Sequence, residues 1–144
     1  MNTQRVLVVG LGLIGGSLAL ALKQRKICAE VFGVSRSEGT IKKALAKGVI
    51  DKGATDITLL LSELQAGDIV VIATPTLSVK NICEQLRTVV QEDVLITDVA
   101  SVKGSVIRDA EEVFGSLPDN FIPGHPIAGS EKSGIDAADA SLFI

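Results

Sequence analysis

A chain of 144 residues, 47% of them hydrophobic, has the length and apolar content of one domain with a real core. Only 3% are aromatic, with no Trp and no Tyr, so that core has to be built from Val, Ile, Leu and Ala, a composition that suits a buried parallel sheet covered by helices. The formal net charge of -3 lacks the basic excess of a nucleic-acid or anionic-membrane surface, and neither partner is expected.

The start, MNTQRVLVVG, runs directly into a strand pattern, without the apolar region and cleavage site of a signal peptide, and no apolar run approaches the ~20 residues that span a bilayer. Residues 5–10 are β-branched and aliphatic and end in glycine, which predicts a buried strand. A helix over 13–25 follows, with Ile14, Leu18, Ala21 and Leu22 on one face. A second strand is expected over 30–35, then an amphipathic helix over 37–48 ending on Gly48 as a cap. The stretch DITLLLSELQAGD is compatible with a short helix feeding the next strand, over 68–75. Val79, Ile82, Cys83, Leu86 and Val90 then recur at helical spacing. A strand over 93–101, a helix from Val102 and a last short strand, NFIPGH, complete the pattern. Cys28 and Cys83 both lie in apolar-periodic stretches and read as small core residues rather than a disulfide framework, so a reducing cytoplasm is the expected location.

Strands alternating with helices predict an α/β fold, a doubly wound and mainly parallel sheet with helices on both faces. Its first turn carries Gly10-Leu11-Gly12-Leu13-Ile14-Gly15, a G-x-G-x-x-G string that closes a strand and opens a helix. In that context Gly10 permits the tight turn, Gly12 lets the backbone approach a pyrophosphate and Gly15 lets helix and strand pack closely, while the helix start stabilises the phosphates. The chain thus reads as a Rossmann-type dinucleotide-binding domain over 1–144, with Gly10, Gly12, Leu13, Ile14 and Gly15 at the cofactor.

Such domains usually carry an acid at the tip of the second strand, ~20 residues on, to accept from the ribose hydroxyls. Here the tip reads Ser35-Arg36-Ser37; Glu30 lies at the other end of the strand and Glu38 beyond the turn. A hydroxyl beside a guanidinium suits a 2′-phosphate, which favours NADP over NAD; the alternative is that Arg36 is a solvated turn residue.

Ligands bind outside the carboxyl ends of such strands. That rim collects Thr74 and Pro75 from one strand end, Asp98, Ser101 and Lys103 from the next, and His125 from GHPIAG. Thr74, Pro75 and Asp98 are assigned to the cofactor side, although Thr74-Pro75 also serves simply to end a strand and Asp98 to cap the helix or hold its loop. Ser101 is a good N-cap, and its hydroxyl could also reach the imidazole. Lys103 also reads as a solvated first-turn residue. His125, the single histidine, is either a hydrogen-bonded loop residue or the group that accepts a proton from a substrate hydroxyl while hydride leaves. No metal site is expected.

VVGLGLIGGSLA, DVASVKG and GHPIAGSEKSG, in this order, resemble the prephenate dehydrogenase family, which includes arogenate and cyclohexadienyl dehydrogenases of tyrosine biosynthesis. The resemblance implies an oxidative decarboxylation of prephenate or arogenate: hydride passes from the ring carbon bearing the 4-hydroxyl to NAD(P), and loss of the ring carboxylate aromatises the product. By motif, His125 corresponds to the histidine that hydrogen-bonds this hydroxyl, Ser101 to the serine near it, and Ser130 and Glu131 to substrate-side positions. Glu131 also reads as a solvated loop acid.

The family continues into an all-helical C-terminal domain that forms most of a homodimer interface and supplies cations for the substrate carboxylates. Because SLFI at 141–144 looks like the start of a strand, the chain reads as a piece of such a protein. These 144 residues are then expected to bind cofactor without useful turnover. The competing readings are a non-catalytic nucleotide-sensing module and a reductase of another small hydroxy acid.

Overall fold

The computed structural model describes residues 5–74, 79–87, 94–99, 103–115 and 120–122. Six strands form one parallel sheet: β1 (Arg5–Val9), β2 (Glu30–Val34), β3 (Lys52–Ala54), β4 (Ile69–Ile72), β5 (Leu95–Asp98) and β6 (Phe121–Ile122), in the order β3-β2-β1-β4-β5-β6. Five helices connect them: α1 (Leu13–Arg25), α2 (Glu38–Ala46), α3 (Thr58–Leu61), α4 (Val79–Arg87) and α5 (Lys103–Phe114).

The central strands are apolar on both faces because both faces are covered. Leu7, Val9, Phe32, Val34, Val70 and Ile72 pack with residues of α3, α4 and α5 in one core. Val6, Val8, Val31 and Val71 pack with residues of α1 and α2 in another. The chain changes faces between β1 and β4, where the strand order reverses, and this opens a crevice at the carboxyl end of those strands.

α1 departs from the predicted packing. Its deeply buried residues are Gly15, Gly16, Ser17, Ala19 and Ala21. Of the predicted face only Ala21 is among them; Ile14, Leu18 and Leu22 are half-buried. The helix leaves the glycine turn so close to the sheet that small side chains fit beneath it, and the leucines pack on its flanks. Strand β3 is a further difference. Lys52-Gly53-Ala54 carries no β-branched residue and pairs only with β2 at the sheet edge, so neither signal of a buried strand is present. The expected cap of α2 is found: Gly48 has φ +70°, and the Gly48 and Val49 amides donate to Leu45 O at 3.2 Å and Ala44 O at 2.9 Å.

Two carboxylates tie the opposite, amino end of the sheet. Asp68, fully buried, accepts from the Arg5 amide at 3.0 Å and the Gln65 amide at 2.8 Å, with the Arg5 guanidinium 3.7 Å away. Asp51 accepts from the Val31 amide at 2.8 Å and from the Lys23 ammonium. Burial works to raise the Asp51 carboxyl, but the hydrogen bonds from Lys23 and Val31 and the Lys23 charge outweigh it and leave it below the usual range.

Cys83 is a core residue as expected; burial, with the charges of Asp109, Asp98 and Glu84, pushes its thiol up to about 12. Cys28 is not. It is half-buried just beyond α1, where its thiol donates to Glu30 O at 3.4 Å. Both thiols are free.

Candidate functional site

The strand register builds a level rim. Val34 pairs with Val9, Val9 with Ile72, and Ile72 with Asp98, so Ser35, Gly10, Ala73 and Val99 follow side by side as the strands end. Backbone bonds hold this row: Gly10 N to Val34 O at 2.8 Å, Ala73 N to Val9 O at 2.7 Å and Val99 N to Ile72 O at 3.1 Å.

Gly10 leaves β1 with φ +101°, and a Cβ there would meet Ala73 O at 2.8 Å, so the turn needs glycine twice over. At Gly15 a Cβ would run into the Gly10 carbonyl oxygen. Gly12, by contrast, has nothing within 4 Å of its Cβ direction. It is the N-cap of α1, and α1 starts with no side-chain cap and no acid in its first turn. The early amides of that turn are therefore left to an external acceptor.

Outside this turn lies a cleft of about 520 Å³, within the range of ligand sites. It gathers Gly10, Gly12, Ser35, Arg36 and Thr74 from the residues expected at the cofactor. Leu13, Ile14 and Gly15 do not line it; they form the start of α1 behind the turn. Ser37 does not line it either. Its Oγ accepts from the Thr40 amide at 3.2 Å as the N-cap of α2, and its own amide donates to Ser35 Oγ at 3.2 Å. Asp98 ends β5, 1% exposed, on the side of α4, where its charge acts on the Cys83 thiol. Pro75, Ser101, His125, Ser130 and Glu131 lie outside the described residues, and the side chain of Lys103 does too.

Besides the strand-end residues Val9, Val34 and Ala73, six lining residues were not assigned to a site from the sequence: Thr55, Asp56 and Ile57 beyond β3, and Asn81, Ile82 and Gln85 of α4. The first three follow a strand that the sequence did not announce. The last three belong to an expected helix: Ile82 sits on its buried face, Asn81 and Gln85 beside that face, and helical spacing alone does not mark any of them for a ligand.

The residues present suit a pyrophosphate-linked nucleotide. The open face of Gly12 and the uncapped helix start offer a phosphate cradle. Thr74 Oγ1 is buried in the cleft wall with no hydrogen-bond partner among the described residues, a group that a ligand would satisfy. A parallel sheet of this order, with a glycine turn feeding a helix at its switch point, defines a nucleotide-binding domain of the Rossmann type.

The chain belongs to the prephenate dehydrogenase family: the profile of the prephenate dehydrogenase nucleotide-binding domain matches residues 18–144. The prephenate dehydrogenase of Bacillus subtilis (strain 168) is 40% identical over 139 residues, 96% of this chain and 36% of that protein. That of Lactococcus lactis subsp. cremoris (strain MG1363) is 36% identical over 141 residues, 97% of this chain and 38% of that protein. The chain thus spans well under half the length of these curated relatives. The crystal structure of prephenate dehydrogenase from A. aeolicus, in complex with hydroxyphenyl propionate and NAD+, is similar with a TM-score of 0.87 at 34% identity, covering 99% of this chain and 48% of that one. Among the described residues no helix is long and apolar enough to cross a membrane.

Proposed function

We propose that this chain is the cofactor-binding domain of an NAD(P)-dependent dehydrogenase of tyrosine biosynthesis that oxidatively decarboxylates prephenate, or arogenate. The observation that carries the reading is the cleft at the switch point, with its glycine turn and a Thr74 hydroxyl that has no partner among the described residues, in a chain of this family. The relative of known structure was solved with NAD+, which supports a nicotinamide cofactor. When bound, such a cofactor supplies the hydride acceptor.

On this reading Gly10, Gly12 and Thr74 hold the pyrophosphate side, and Ser35 and Arg36 receive the adenosine ribose. His125 accepts a hydrogen bond from the substrate hydroxyl at a ring nitrogen and takes its proton as hydride departs, with Ser101 beside it. Ser130 and Glu131 stand on the substrate side, and the groups that bind the substrate carboxylates and join two copies come from a further, helical domain.

His125→Asn tests the catalytic half of the reading. In the complete protein kcat is expected to fall by about 10²- to 10⁴-fold with cofactor affinity kept. An unchanged rate would sink this role, and a nucleotide sensor would lose nothing. Arg36 tests cofactor choice. With no acid at the tip of β2, NADP is expected to bind more tightly than NAD, and Arg36→Ala to weaken NADP by about 10-fold or more while leaving NAD nearly unchanged. Tighter binding of NAD by the unaltered protein, in a titration of both cofactors, would remove the argument.

A further inference from the structure

This inference rests on the cofactor reading above and assigns a residue that the reading leaves unused. The floor of the cleft is apolar, with Val34, Ile57 and Ile82 all buried, and suits a flat heterocycle. Among its described lining residues Asp56 is the single acid. A carboxylate near the phosphates would repel them, so its place in the cleft has to be read against another part of the ligand. Ser35 and Arg36, at the tip of β2, occupy the position of the ribose. Asp56 follows β3, one strand further out.

The side chain is also oriented. Asp56 Oδ1 accepts from the Thr58 amide at 3.0 Å and from the Thr58 hydroxyl at 2.7 Å, which leaves Oδ2 with no partner among the described residues. These bonds from the Thr58 hydroxyl and then its amide, against a small opposing effect of burial, hold the carboxyl below its usual range, so it is an acceptor without a proton to give. A nucleotide lying over Val34 and Ile57, with its ribose at the β2 tip, has one strong donor left to offer: an amino group on the base.

We propose that Asp56 reads the exocyclic amino group of the cofactor's adenine through Oδ2, and that the cleft thereby rejects a base carrying a carbonyl at that position. The probes are NADP, NAD and their hypoxanthine counterparts, in which a carbonyl oxygen replaces the amino group, titrated against the 144-residue chain. The adenine form is expected to bind at least about 10-fold more tightly than the hypoxanthine form, the scale of a hydrogen bond to a charged acceptor. Asp56→Asn keeps its Oδ1 as the acceptor for Thr58 and presents an NH2 donor where Oδ2 stood, which no longer accepts from the adenine amino group and suits the hypoxanthine carbonyl, so the ratio is expected to fall to about 2-fold or less. Equal binding of adenine and hypoxanthine forms by the unaltered chain would overturn the assignment and leave the cofactor reading standing. So would an Asp56→Asn chain that keeps the full ratio, or one that changes only the NADP to NAD ratio, which would place Asp56 at the ribose. A chain that binds none of the four probes would remove the cofactor reading and this inference together.

Discussion

Gly15→Ala is expected to cost the domain about 1–3 kcal/mol of stability or more and to abolish nucleotide binding, because the added methyl is driven against the Gly10 carbonyl oxygen and either the turn or the helix has to move. In thermal unfolding this is a fall of roughly 3–10 °C for a domain of this size. Gly12→Ala is the informative partner. Its φ of -79° suits any residue and its Cβ direction is open, so the melting temperature is expected to fall by only a few degrees, the cost of alanine in place of glycine at an N-cap. The new methyl nevertheless enters the space a phosphate would take, and nucleotide affinity is expected to fall by about 10-fold or more. Melting both variants with and without nucleotide separates the two effects. An unshifted Gly15→Ala would show that turn and helix are not tightly packed, and a Gly12→Ala chain that binds normally would move the phosphate elsewhere.

The second large effect lies at the other end of the sheet. Asp68→Ala strands the amides of Arg5 and Gln65 and leaves the Arg5 guanidinium without its buried partner. Removing one side of a buried pair costs ~3–5 kcal/mol, and because the Arg5 side chain is 24% exposed the lower end is expected, about 3 kcal/mol. Against a total of roughly 5–15 kcal/mol this is a large share. It should appear in urea unfolding as a lower midpoint with the slope unchanged. Nucleotide affinity should be unaltered, since Asp68 precedes β4 and the cleft lies beyond its far end. A midpoint that does not move would mean that water satisfies the two amides.

The sheet was legible wherever burial on both faces forces a dense aliphatic run. Arg5–Val9, Glu30–Val34 and Ile69–Ile72 stand out for that reason, and the helices between them follow from spacing. β3 was illegible for the complementary reason: three residues on an edge, paired to one neighbour, need no aliphatic run to stay in place. That miss carried a price at the site, since Thr55, Asp56 and Ile57 came into the cleft behind it. The glycine turn was readable because its constraints are steric and act on residue type directly. Ser37 was harder, because the same hydroxyl suits a helix cap and a ligand, and the structure engages it with Thr40. Helical spacing also misled at α1: it identified the largest apolar residues, whereas close approach to the sheet selected the smallest.

The rim described above spreads its polar groups over several strands. Ser35 and Arg36 follow β2 and Asp56 follows β3, whereas Asp98 ends β5, and β1 and β4 lie between. At ~4.8 Å per strand the tips of β2 and β5 stand roughly 14 Å apart, beyond the distance at which substitutions usually couple. Residues at the tips of β2 and β3 can therefore be exchanged without disturbing those on the β5 side. The order of strands gives this domain two independently adjustable ends, so substitutions at the tips of β2 and β5 can be engineered, or inherited, one at a time.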